Sequence, residues 1–328
     1  MGKRIEIDPI TRLEGHGKIS IFLDDNGVVE NAYFQVPELR GFEEFCKGRH
    51  VTELPQITSR ICGVCPWAHH MAATKALDEV YHVKPSSAGR KLRELAYNTF
   101  YFSDHLLHFY YLAAPDFVCG PKAPAGERNV LGAIAKLGIE KGKEVIKHRV
   151  YGEEILKILG GKSQHPVCGL PGGVSRGLTE EERKDFEGKL VSAVEFSKFS
   201  LQLFDDLVLK NKTYLDIILN KDLYYHETNY MGMVDENNKV NFYDGMLRVV
   251  NPSGKEIEKF DPRQYQEHIS EHKEPWSYIK YLYLKKIGWK GFVDGPDSGV
   301  YRAAPLARLN VSTGFTTPLA QAAFDKMY

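Results

Sequence analysis

The residues best suited to chemistry are concentrated in residues 60–69. Cys62 and Cys65 have C-x-x-C spacing, Arg60 precedes them by two positions, and His69 follows four positions after the second cysteine. Thiolates are soft metal ligands, and a C-x-x-C turn can place two sulfurs on one metal ion or on a metal pair. The pattern of residues 67–80 predicts a helix, so both thiols lie at its amino end, where peptide N–H groups stabilise anions. With the added charge of Arg60, we expect two thiolates at neutral pH.

A C-x-x-C pair has other interpretations. A structural zinc site usually has four protein ligands, and no second C-x-x-C or H-x-x-H pair follows at finger-like spacing. A thioredoxin-type redox pair lies in a βαβ unit, which the flanking sequence does not resemble. A disulfide belongs to an oxidising compartment, of which this sequence gives no sign. A metal site is therefore the favoured interpretation.

Composition limits the class of protein. The 328 residues carry a formal net charge of +0 with dispersed basic residues, which argues against nucleic acid or an anionic membrane as partner. No apolar run reaches the ~20 residues of a membrane span, and the basic N-terminus lacks the apolar segment of a signal peptide. Five cysteines in a long chain fit a reducing, cytoplasmic location. Three of them are predicted to be buried small apolar side chains: Cys46, Cys119 and Cys168.

The periodicity predicts an α+β fold that is mainly α. Long helices are expected over residues 86–114, 125–160 and 179–219, and the last would span about 60 Å at ~1.5 Å per residue. Thr179 and Glu182 form the capping-box pattern at the start of that last helix. Shorter helices are expected at about 39–48 and 52–58, a loop over 166–177, and a final helix from Pro318.

The β structure is expected in two regions. Residues 4–37 contain a hairpin around Asn26 and Gly27, and residues 222–258 contain strands that include 239–243. A short helix is expected over 265–272 and an extended run over 276–283. We therefore predict one domain over residues 1–328, an elongated bundle of long helices with small β-hairpin sheets.

Separated motifs, in order, resemble the large subunit of nickel–iron hydrogenases. Residues 60–69 fit that family's first cysteine box, R-x-C-G-x-C-x-x-x-H. Residues 267–278 resemble the cytoplasmic methyl-viologen-reducing branch, whose members feed heterodisulfide reductase. Further family-like stretches are residues 8–16, 39–43, 104–110, 160–166 and 305–308.

The resemblance implies the reaction H2 ⇌ 2H⁺ + 2e⁻ at a nickel–iron centre whose iron carries diatomic ligands. Cys62 would be a terminal nickel ligand and Cys65 would bridge nickel and iron. The family takes two more thiolates from a C-terminal box like D-P-C-x-x-C-x-x-H, which this sequence does not contain. We therefore expect that the chain lacks its C-terminal segment, either as a fragment or because a separate polypeptide supplies the rest.

The resemblance also implies roles around the centre. His69 would hydrogen-bond a cysteine sulfur, with Arg60 adding positive charge, and Glu14 would be the first proton acceptor. Glu43 would bind a structural magnesium ion, and His165 would face the iron–sulfur cluster of a small subunit. That partner is expected because this chain has too few cysteines for a cluster relay. Heterodisulfide reductase or another electron-acceptor module would follow it.

Two other function classes are also compatible with the sequence. A non-catalytic structural homologue, like the quinone-site subunit of respiratory complex I, would have lost the cysteine boxes, whereas Cys62 and Cys65 are retained. A simple zinc-binding protein would contain zinc alone. Nickel content separates both alternatives from the hydrogenase.

Overall fold

The structure is a computed structural model that describes residues 3–38 and 41–327. The chain divides into two compact units. We call residues 41–215 the helical unit, and residues 3–38 with 216–327 the sheet unit. The chain thus leaves the sheet unit after its first strands and returns to it at residue 216. The single domain over residues 1–328 stays a prediction.

The sheet unit begins with a three-stranded antiparallel sheet of order β1-β2-β3. Its strands are β1 Arg4–Ile7, β2 Lys18–Leu23 and β3 Val29–Gln35. The carboxylate of Asp24 accepts the N–H groups of Asn26 and Val28 at 2.9 and 2.8 Å, which closes the turn between β2 and β3. The hairpin predicted here is confirmed.

The helical unit carries the long helices. Its 3-10 turns are Val51–Glu53 and Ser59–Ile61, and its π-helical segments are His108–Ala113 and Asp205–Leu209. The α-helices are α1 Phe42–Cys46, α2 Leu54–Thr58, α3 Pro66–Val80, α4 Ser87–Leu107, α5 Ala114–Cys119, α6 Val130–Leu137, α7 Ile139–Gly160, α8 Glu180–Phe204 and α9 Lys212–Ile218, the last crossing into the sheet unit. The predicted start at Leu39 lies outside the described residues.

Two apolar clusters hold this unit together. The first joins α3, α4, α7 and α8 through Trp67, Phe100, Ile155 and Phe186. The second joins α4, α7, α8 and the π-helical segment through Leu106, Tyr110, Val145 and Phe196. Apolar side chains at helical spacing on each helix produce these contacts.

Two predicted helices are wrong in extent. The helix expected over 125–160 is two helices, because Gly138 takes φ +96° and turns the chain between α6 and α7. The helix expected over 179–219 becomes π-helical after Phe204 and stops near Lys210, so a single 60 Å helix does not form. The capping box of Thr179 and Glu182 is confirmed.

The helix expected over 86–114 also changes character. It becomes π-helical at His108. Pro115 follows in α5 and has no N–H to donate to the carbonyl four residues earlier, which disturbs the regular α pattern. The loop expected over 166–177 contains a small hairpin of β4 Gly169–Leu170 and β5 Gly173–Val174.

The second part of the sheet unit has a four-stranded sheet of order β11-β6-β7-β8 and a β10-β9 pair. Its core includes Met231, Val249, Phe260 and Leu284. The elements are β6 Asn229–Val234, β7 Met246–Val250, β8 Glu256–Phe260, β9 Ile269–Lys273, β10 Lys280–Leu284, β11 Tyr301–Arg302, α10 Lys221–Tyr224, the 3-10 turn Pro262–Gln264, α11 Tyr265–His268, α12 Pro305–Asn310 and α13 Pro318–Met327.

Two details of this region differ from expectation. The strand expected over 239–243 is reduced to one bridge between Val234 and Val240. The helix expected over 265–272 ends at His268, because residues 269–273 form β9 and pair with β10. The fold class, α+β and mainly α, is confirmed.

Candidate metal centre

The thiol pair lies where a 3-10 turn gives way to α3. The backbone of Cys62 is extended, and Cys65 is the N-cap residue of α3. Pro66 takes the first helical position, where a backbone N–H would have no partner within the helix. The N–H of Cys65 donates to the Sγ atom of Cys62 at 3.2 Å. The predicted placement of both thiols at a helix amino end is confirmed.

Three potential ligand atoms converge here. One ligand atom each of Cys62, Cys65 and His69 lies within 4.8 Å of the other two, and all three residues are half-buried. His69 follows Cys65 by about one helical turn, which brings its ring back toward the sulfurs. Burial lowers the pKa of His69, so its imidazole is neutral at neutral pH.

This donor set fits a nickel–iron centre. Two sulfurs are the soft donors that such metals take, and the neutral imidazole can ligate a metal or donate to a thiolate. In the described residues, this is the one group of three or more His, Cys, Asp or Glu side chains with metal-ligand spacing. The residues present therefore match half of the four-thiolate set that the resemblance implies.

A loop after α7 is bonded to the thiol segment. The indole N–H of Trp67 donates to the carbonyl of Ser163 at 2.7 Å. The Nδ1 atom of His165 donates to the carbonyl of Ser59 at 3.0 Å, and the backbone of His165 has φ +52°. His165 is half-buried, and its predicted place opposite a partner's cluster stays a prediction.

His70 is a second histidine at the site, and its bonds were not predicted. Its ring is 1% exposed and contacts Pro55 on one side and Gly169 on the other. Burial lowers the pKa of His70. The Sγ atom of Cys168 lies 3.9 Å from Nε2 of His70, and burial raises the pKa of Cys168 to about 11. Sequence spacing does not predict the partner Gly169, which lies 99 positions away.

A buried ion pair fixes the β4–β5 hairpin. The guanidinium of Arg93 is fully buried against Asp78, and it also donates to the carbonyls of Leu170 and Gly173 at 2.8 and 3.0 Å. The carboxylate of Asp78 accepts the N–H of Gly172 at 2.8 Å. The sequence pattern does not predict this pair, because both residues resemble ordinary charges on helices.

The other predicted site residues lie in exposed positions. Glu14 is exposed in the segment between β1 and β2 of the sheet unit. Glu43 is exposed in the first turn of α1, and Arg60 is exposed in the 3-10 turn before Cys62. None of these three is a member of the ligand group. Their roles stay predictions.

Comparison with known proteins decides the family. A family model described as "Nickel-dependent hydrogenase" matches residues 40–129, and a "HoxL-like" model matches residues 4–39. The chain is 47% identical to an iron-sulfur subunit of the F420-non-reducing hydrogenase of Archaeoglobus profundus, covering 99% of this chain and 67% of that protein. It is 43% identical to a vhu subunit of the F420-non-reducing hydrogenase of Methanocaldococcus jannaschii, covering 98% and 73%. The chain belongs to the nickel-dependent hydrogenases.

Solved structures agree with this assignment. An NAD⁺-reducing [NiFe]-hydrogenase in the H2-reduced state superposes with a TM-score of 0.89 at 34% identity, covering 99% of this chain and 69% of that one. A reduced, active Ni-Fe-Se hydrogenase from Desulfomicrobium baculatum gives 0.75 at 26% identity, covering 99% and 71%. The predicted hydrogenase family, enzyme class and large-subunit relationship are confirmed. The described part of the chain has no helix with the length and apolarity of a membrane span.

Proposed function

We propose that Cys62 and Cys65 of this hydrogenase chain hold a nickel–iron centre at which H2 ⇌ 2H⁺ + 2e⁻ takes place. The convergence of Cys62, Cys65 and His69 within 4.8 Å carries the proposal. When bound, the centre supplies the redox-active metal pair on which H2 is split heterolytically. Both thiolates would hold this centre, Cys62 at the nickel and Cys65 at the nickel and the iron.

The thiol segment also supplies groups that hold protons and hydrogen bonds. A thiolate sulfur is a base that can receive a proton. His69 is neutral because burial lowers its pKa, and its ring N–H can donate to a sulfur without adding a full charge to the site. Arg60, two positions before Cys62, adds a cation on the exposed side of the segment.

Glu14 is assigned as the proton acceptor beyond the metal site. Its side chain is exposed, so a proton that reaches it can pass to water. General acid–base groups typically contribute about 10²- to 10⁴-fold to rate. Glu14→Gln keeps the size and removes the titrating group, so we expect H2-dependent dye reduction to fall about 10²-fold with nickel content unchanged. Glu30→Gln, an exposed carboxylate on β3, is the matched control.

The remaining roles follow the family. Glu43 is assigned to a magnesium ion, since a carboxylate is the hard ligand that magnesium prefers. His165 is assigned to the side facing an iron–sulfur cluster of a small subunit, which receives the electrons. A heterodisulfide reductase or another acceptor module would take them onward, in the cytoplasm.

The test is metal analysis of the complex purified with its partner subunits. We expect nickel and iron, together with H2-dependent reduction of methyl viologen. Zinc alone at one per chain, or a nickel-free complex with no dye reduction, would overturn the proposal. Loss of activity in Glu14→Gln together with loss of nickel would remove the proton role from Glu14.

A further inference from the structure

A single buried ring joins the chain on both sides of the thiol pair. His70 is 1% exposed and lies in the helix that follows Cys65. Its Nδ1 atom lies 2.9 Å from the carbonyl oxygen of Pro55, in α2 before the thiols. Its Nε2 atom lies 2.9 Å from the backbone nitrogen of Gly169, in the loop after α7. His70 therefore connects α2, α3 and this loop.

The two contacts fix the tautomer of His70. A carbonyl oxygen can only accept a hydrogen bond, so Nδ1 carries the proton that it donates to Pro55. An amide N–H can only donate, so Nε2 is the unprotonated acceptor for Gly169. Both ring nitrogens are thus used, in a buried place where an unmade hydrogen bond is costly.

The loop approaches α3 too closely for a side chain. A Cβ atom at Gly169 would lie 2.0 Å from Oγ1 of Thr74 and 2.9 Å from Nε2 of His70. At the end of α7, just before the loop, a Cβ atom at Gly160 would lie 2.5 Å from the ring of Trp67. With the bond from Trp67 to Ser163 and that from His165 to Ser59, the loop is held to chain on either side of the thiols.

We propose that His70 is a positioning residue of the thiol site: by bonding Pro55 and Gly169 at once, it keeps Cys62 and Cys65 at ligand spacing before a metal arrives. The inference rests on the proposed function in taking the two thiols as metal ligands. It goes further in stating that the site is preorganised by a ring that does not ligate the metal. Buried partners behind the ligands typically change metal affinity by about 10- to 100-fold.

The test titrates the purified full chain with cadmium ion, a thiolate-binding probe, and follows the sulfur-to-cadmium charge-transfer absorbance. The background from other thiols is measured in a variant with Cys62→Ser and Cys65→Ser together. We expect His70→Ala to weaken cadmium binding about tenfold or more. His70→Gln, whose side-chain oxygen can accept from Gly169 as Nε2 does, should recover part of the affinity.

His148 provides the matched control. His148 is 2% exposed. Its Nδ1 atom lies 2.8 Å from the carbonyl oxygen of Glu144, and its Nε2 atom lies 3.0 Å from the hydroxyl oxygen of Ser192. His148→Ala thus removes a similarly buried ring that joins α7 to α8. We expect both histidine variants to lower the melting temperature, and cadmium affinity to fall only with His70→Ala.

Two glycine substitutions in the loop test the hydrogen bond between Gly169 and His70 without changing the histidine. Gly169→Ala places a methyl group against Thr74 and His70, whereas Gly173→Ala in the same hairpin meets nothing within 4 Å. We expect Gly169→Ala to weaken cadmium binding and Gly173→Ala to leave it unchanged. If His70→Ala yields no folded chain, the cadmium affinities of these two glycine variants test the proposal instead.

Equal cadmium affinity in His70→Ala and wild type, or an equal loss in His148→Ala, would overturn the proposal by making His70 merely structural. For the two glycine variants, an unchanged cadmium affinity in Gly169→Ala, or an equal loss of affinity in Gly173→Ala, would also overturn the proposal. The cadmium result is independent of hydrogenase activity. A nickel-free complex would therefore overturn the proposed function, whereas an unchanged cadmium affinity would overturn only the role of His70.

Discussion

Two regions contain predicted site residues, and they differ in burial. The thiol segment of the helical unit contains the predicted metal ligands, and the loop between β1 and β2 of the sheet unit contains the predicted proton acceptor Glu14. Cys62, Cys65 and His69 are half-buried and mutually close. Glu14 and His16 are exposed, and His16 bonds Glu38 at 2.7 Å in the same unit.

This difference in burial distinguishes two kinds of site residue. The metal ligands are close together in sequence and in space, whereas the role of Glu14 depends on the groups around it. A C-x-x-C turn at a helix start places two sulfurs and an imidazole within eight residues of sequence, and their ligand atoms lie within 4.8 Å of one another. An exposed carboxylate gains a defined role only from the groups and solvent that surround it. We therefore expect sharp, site-specific losses at the thiols.

The largest expected effect is at Cys65. Cys65→Ser replaces a soft sulfur by a hard oxygen, so the complex should lose its nickel and its H2-dependent dye reduction. Cys46→Ser, which changes a half-buried cysteine in α1 outside the ligand group, should retain both. Nickel retention in Cys65→Ser would show that the thiol segment does not hold the metal and would remove the distinction between the two regions.

The next effect concerns the buried pair behind the β4–β5 hairpin. Asp78→Ala leaves the buried guanidinium of Arg93 without its counter-charge and should lower the free energy of unfolding by about 3–5 kcal/mol. Glu94→Ala removes a partner of Arg90 in a more exposed pair on α4 and should cost about 0–1 kcal/mol. Denaturant titration measures both, and similar losses would contradict the account of this hairpin.

A pH-dependent effect is expected from Cys168. Burial raises its pKa from 9.0 to about 11, so the folded chain keeps the thiol proton when the unfolded chain has lost it. Below about pH 9 the group adds no pH dependence. Between about pH 9 and about pH 11, the free energy of unfolding should fall by up to about 3 kcal/mol.

The measurement is the difference in unfolding free energy between wild type and Cys168→Ala across that pH range. Since lysine and tyrosine titrations are common to both chains, the difference isolates the thiol. A difference that stays constant with pH would show that Cys168 has an ordinary pKa.

The smallest expected effect is at the start of α8. Thr179→Ala removes the hydroxyl that accepts the N–H of Glu182, and such N-cap losses cost about 1 kcal/mol. Ser197→Ala in the same helix removes only a bond to the carbonyl four residues earlier, which is close to neutral. Thermal unfolding separates the two, and equal melting temperatures would show that the capping box adds no stability.

Local signals explain what the sequence could predict. The Asn26 and Gly27 turn, the capping box of Thr179 and the helix after Cys65 each depend on neighbouring residues, and all three formed as expected. The ligand group belongs to the same class, since its members lie within eight positions of one another.

Long-range packing explains what the sequence could not predict. The bonds of His70 to Pro55 and Gly169, and of Arg93 to Gly173, join residues 15 to 99 positions apart. A spacing pattern carries no information on such partners. The π-helical segments at His108–Ala113 and Asp205–Leu209 were missed because their apolar periodicity resembles that of an α-helix.

The decisive measurement is X-ray absorption at the nickel edge of the purified complex, in wild type and in Cys65→Ser. We expect sulfur neighbours at nickel in the wild type and loss of the nickel signal in the variant. Nickel surrounded by oxygen and nitrogen alone, or an unchanged sulfur shell in the variant, would contradict this expectation.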